Sequence, residues 1–62
     1  MNGTKYFEQR TEIIKQLKDA GMIEVSKRFP LITDKHDIIQ CNKDRSIQIQ
    51  DMRDMLRDVR AA

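Results

Sequence analysis

The 62-residue chain has no tryptophan, one cysteine (Cys41), one histidine (His36), one proline (Pro30) and two glycines. Each scarcity removes a class of protein. A lone cysteine excludes an internal disulfide framework, and one His beside one Cys cannot make a zinc cluster within a single chain. There is no Gly-rich phosphate loop, no HExxH and no CxxC. No stretch approaches the roughly 18 apolar residues that a membrane-crossing helix needs, and the opening MNGTKYFEQR lacks the apolar run of a secretory signal. The expected location is therefore a reducing cytoplasm, away from membranes, which also suits a single thiol.

What is present is charge. Lys and Arg number 12 and Asp and Glu 10, giving +2 overall, while 39% of residues are hydrophobic and 35% charged. The near balance lacks the basic excess usual in nucleic-acid binders, so DNA or RNA is a disfavoured partner. A domain this small buries only about 60% of its unfolded surface and commonly needs a disulfide, a metal or a partner subunit. With the first two excluded, self-association is the expected source of the missing burial.

Along the chain, Thr4 is placed to cap a first helix over about residues 4–20. Tyr6, Ile13, Leu17 and Ala20 fall within roughly 60° on a helical wheel, with Phe7 and Ile14 beside them. Arg10 sits inside that apolar arc, against expectation. Gly21 is placed to end the helix in the left-handed conformation, folding Met22 back on Leu17; a helix continuing to about Arg28 is the rival reading. The β-branched run over 22–27 predicts a short strand, with Ile23 and Val25 on one face. A lone strand needs another edge, and the same strand of a second subunit, antiparallel across a two-fold axis, would supply it. Pro30 stops any preceding helix and makes 28–33 a connector.

From Thr33, read as an N-cap, the pattern is helical over about 34–60, roughly 40 Å of helix. With Met52 at zero on the wheel, Ile38, Cys41, Ile49, Met55, Leu56 and Val59 lie within roughly 60° of it. Arg53, Arg57 and Arg60 gather on one flank and Asp51, Asp54 and Asp58 on the other. Those edges are either a solvated helix with weak ion pairs or a means of setting the register of a symmetric partner. Arg45 lies in the apolar arc, and Ile39 and Ile47 lie opposite it. A break at 42–46, folding IIQC against SIQI as a hairpin, would also account for those two.

No residue carries a specific chemical signature. Asp34, His36 and Asp37 diverge around one helical turn, and capping explains the two carboxylates. Cys41 has no nearby base and reads as core. Met22, Met52 and Met55 read as core too, with an adaptable groove for a partner helix as the alternative. LKDAGMIEV followed by IIQCNKDRSIQI can be drawn as the helix, strand and wing of a winged-helix repressor, but no room remains for a recognition helix.

TKYFEQRTEIIKQLKDAG and DIIQCNKDRSIQIQDMRDMLRDVR, taken with the size and character of the whole chain, resemble the small proteins encoded between the exonuclease and excisionase genes of lambda-like temperate bacteriophages. The resemblance implies an early accessory protein that favours lytic development by acting on the host, and a small dimer of helices and a strand. It carries no site residues. The expected fold is thus mainly α with one short strand: two helices and a strand per chain, in an intertwined homodimer with an intersubunit antiparallel strand pair. The expected interface residues are Ile23, Val25, Ile38, Ile49, Met52, Met55, Leu56 and Val59. The expected function is non-enzymatic binding of a host or phage protein, through an apolar helix-binding groove, with no cofactor, metal or catalytic residue. A small winged-helix-like regulator of transcription is the alternative.

Overall fold

Gly21 organises the first half of the chain. Its φ of 102° is the left-handed conformation that a residue without Cβ adopts freely. It ends helix α1 (Gly3–Asp19): the Gly21 N–H reaches the Lys18 carbonyl and the Met22 N–H the Leu17 carbonyl, each at 2.9 Å. These are the two bonds of a Schellman motif. The computed structural model describes residues 3–33 and 37–61, and within them the chain forms three helices and no strand.

The expected strand over 22–27, and with it the intersubunit strand pair, is replaced by a turn at Ile23–Glu24 and a single helical turn, α2 (Val25–Arg28). Local hydrogen bonds explain the difference. The Val25 N–H bonds the Met22 carbonyl, Arg28 bonds Glu24, and Phe29 bonds Val25. The N–H groups of Met22, Ile23, Val25 and Lys27 thus find carbonyls nearby in the chain rather than on a second edge. Ile23 and Val25, which would share one face of a strand, are separated: Val25 is buried and Ile23 is exposed to solvent.

Helix α3 (Ile38–Ala61) runs unbroken through 42–46, so neither the hairpin nor a wing forms there. Its 24 residues account for about 36 Å at 1.5 Å per residue, close to the molecule's 38 Å long axis. Asp37, rather than Thr33, caps it: the Asp37 Oδ1 accepts from the Gln40 N–H at 3.1 Å. Asp34 and His36 lie outside the described residues.

α1 and α3 pack side by side in the same direction. Tyr6 meets Gln48, Gln9 meets Arg53, and Gln16 meets Arg60, so sequence number rises together along both helices. Parallel neighbours require the chain to travel back between them. The segment from Phe29 to Thr33 does this, lying beside Arg10 at one end and Tyr6 at the other. The core between these elements is Tyr6, Ile13, Ile14, Leu17, Val25, Ile49, Met52 and Leu56, with Met22, Phe29, Ile32 and Met55 packed against it. One chain therefore closes a core of its own.

Candidate interaction surface

The return segment has no helix or sheet to satisfy its backbone, and side chains of both long helices do so instead. Arg10 Nη2 donates to the Phe29 carbonyl at 2.9 Å. Gln48 Nε2 donates to the Pro30 carbonyl at 2.7 Å. Arg45 donates to the Ile32 carbonyl from both Nε and Nη2, and the Cys41 thiol donates to the Thr33 carbonyl at 3.3 Å. The Tyr6 hydroxyl accepts from the Ile32 N–H at 3.0 Å and donates to Gln48 Oε1. Arg10 and Arg45 occupy the apolar arcs of their helices because a strap of peptide carbonyls lies over those arcs. Arg45, only 2% exposed, also stands over the Tyr6 and Phe7 rings, 5.1 and 5.5 Å from their centroids.

The expected interface set is split by this arrangement. Val25, Ile49, Met52 and Leu56 are buried within the chain's own core. Met55 and Val59 are half-buried and line a groove with Phe29. Ile23 is 80% exposed and Ile38 67%. α3 begins well before α1 reaches it, since Gly3 already lies beside Arg45: a Cβ placed on Gly3 would sit 3.5 Å from that guanidinium. The first two turns of α3 therefore project past the start of α1, and Ile38 stays uncovered although it shares the wheel position of the core residues.

Further exposed apolar residues add to Ile38: Ile39 at 83%, Ile47 at 51%, and Phe7 and Leu31. Ile39 and Ile47 fit no intrachain face. Their misplacement on the wheel signals them in the sequence, whereas Phe7 and Leu31 carry no such signal. The two flanks of α3 differ in character. Arg53 and Arg60 lean on α1, donating to Gln9 Oε1 and Gln16 Oε1. Asp54 and Asp58 face away and share Arg57 at 3.7 and 3.8 Å. Among the described residues no group of His, Cys, Asp and Glu side chains could hold a metal ion, and no helix is long and apolar enough to cross a membrane.

Compared with known protein families, curated proteins and solved structures, the chain finds no match.

Proposed function

We propose that this is a non-enzymatic interaction protein that binds another protein and acts as a homodimer. The supporting observation is the projecting end of α3, where Ile38 and Ile39 stand in water while Arg45 and Gln48 are buried. Covering an isoleucine side chain contributes about 1.5–3 kcal/mol, so leaving two adjacent ones exposed favours a surface that is covered by association. A second copy brings the same two residues and buries four at one two-fold contact. The likeness to early accessory proteins of lambda-like phages gives this reading its setting: a regulator in the host cytoplasm that favours lytic development by binding a host or phage protein.

The test is molar mass in solution by light scattering over a range of concentrations. The chain is expected to dimerise, and the Ile38→Asp/Ile39→Asp variant to remain helical by circular dichroism yet stay monomeric, because both sites are exposed. A wild-type chain that is a monomer at every concentration would remove the dimer. Expressing the protein in a lysogen and counting induction events tests the regulatory role, and an unchanged frequency would remove it.

A further inference from the structure

A second surface lies at the opposite end of α3 from the isoleucines. Where the return segment leaves α2, Phe29 and α3 leave between them an open groove of about 520 Å³. Its apolar lining is Phe29, Met55 and Val59, all half-buried. Its rim along α3 is Asp51, Asp54 and Asp58. These three are spaced i, i+3 and i+7, which keeps them on one side of the helix over about 10 Å. The opposite rim carries Arg28, whose guanidinium lies 5.8 Å from the Phe29 ring centroid. It forms no ion pair with the aspartates among the described residues.

The acids are poorly placed for the chain's own stability. Asp58 stands in the last turn of α3, where the helix dipole is negative and a carboxylate is disfavoured. Asp51 has no hydrogen-bond or ion-pair partner among the described residues. Asp54 and Asp58 have only Arg57, at the long distances given above, and the Gln50 amide, which reaches Asp54 at 3.0 Å. Three carboxylates and a helix C-terminus thus place negative potential beside an apolar floor that contains a methionine, a side chain able to fit irregular shapes.

We infer that this groove docks a basic amphipathic helix of a partner protein, whose apolar residues enter against Phe29, Met55 and Val59 and whose Lys or Arg residues meet Asp51, Asp54 and Asp58. An apolar face with anchors at i, i+3 and i+4 is the form that helix-in-groove recognition takes, and the aspartates fix its direction and speed its approach. A second copy of this chain is not the occupant. The isoleucine pair proposed as its dimer contact, Ile38 and Ile39, lies at the far end of α3, and inserting that end here would build an open head-to-tail chain rather than a closed dimer. The inference rests on reading the protein as an interaction protein and names the chemistry of what it binds.

The probe is a labelled synthetic helical peptide with leucines along one face and lysines over the rest, titrated into the full chain and followed by fluorescence anisotropy and amide chemical shifts. Binding should saturate, and the largest shifts should fall at Phe29, Met55 and Val59. Asp51→Lys/Asp58→Lys should weaken it by about tenfold or more, as expected for reversed rim charges. Glu8→Lys/Glu12→Lys makes the same charge change at a separate groove, between α1 and α3, which Ile13 and Leu56 also line, and should leave the affinity unchanged. Equal weakening by both pairs, shifts centred elsewhere, equal binding of a peptide with the same residues scrambled, or no saturation would each overturn the groove. A dimer that still forms alongside any of those results would keep the broader interaction reading and reject this site alone.

Discussion

The guanidinium of Arg45 donates two hydrogen bonds to a single acceptor, the carbonyl of Ile32, at 3.1 Å from Nε and 3.0 Å from Nη2. A buried cation on α3 thereby holds the peptide strap that lets α1 and α3 run parallel. Replacing it with methionine keeps the apolar stem and removes the donors. We expect a loss of about 1.5–3 kcal/mol, the range for hydrogen bonds to a charged group. At about 0.05–0.15 kcal/mol per residue the whole chain has only about 3–9 kcal/mol, so this loss is a large share. Arg45→Lys should recover little, because an ammonium cannot reproduce the planar fork. Urea denaturation checks both variants, and an unchanged midpoint would show that the strap is held by other means.

Tyr6 and Gln48 form the other fastening. The tyrosine hydroxyl serves Gln48 and the Ile32 N–H together, and Gln48 in turn serves the Pro30 carbonyl. Tyr6→Phe should cost about 1–2 kcal/mol. Tyr6→Phe combined with Gln48→Leu should cost less than the two changes summed, by about 1 kcal/mol, because the residues share one network. Strict additivity in a double-mutant cycle would mean that they act separately.

Gly21 gives a purely backbone prediction. No atom lies within 4 Å of a Cβ placed there, yet its φ is +102°. Gly21→Ala therefore meets no clash and suffers only conformational strain, about 1–2 kcal/mol. In a domain of this size each kcal/mol lowers the melting temperature by about 4–8 °C. A melt that shifts upward would show that α1 continues past Asp19 when alanine permits it.

Asp37 is exposed; its carboxylate accepts from the Gln40 N–H and its carbonyl from the Cys41 N–H, and substitution of the side chain removes the first bond alone. Asp37→Ala should cost about 0.5–2 kcal/mol and Asp37→Ser much less. Hydrogen exchange at the Gln40 amide, which donates to the carboxylate, should accelerate in the alanine variant and stay slow in the serine one. Fast exchange in the wild type would place the cap elsewhere.

The sequence determined the local elements. The spacing of Tyr6, Ile13 and Leu17 defined the buried stripe of α1, and that of Ile49, Met52 and Leu56 the stripe of α3, because helical periodicity is a property of neighbouring residues. Gly21 marked the helix end for the same reason, being the residue that takes a positive φ without strain. Arg10, Arg45, Ile39 and Ile47 were legible as exceptions, but their cause was not. A strand over 22–27 was expected from β-branched residues, whose preference depends on an available edge; the described residues offer none, and α2 formed instead.

Only the tertiary structure decided how the stripes were used. Whether Ile49, Met52 and Leu56 face a second subunit or α1 of the same chain depends on where residues more than thirty positions away are brought, which no local pattern encodes. The parallel packing of α1 and α3 forced a return segment between them, and its carbonyls and N–H groups drew Arg10, Arg45, Gln48 and Tyr6 against it, burying all of these but Arg10. The same packing left Ile38 beyond the start of α1 and opened the groove at Phe29, Met55 and Val59. Surfaces available to partners are what remains after long-range packing, and for that physical reason they appear only in the folded chain.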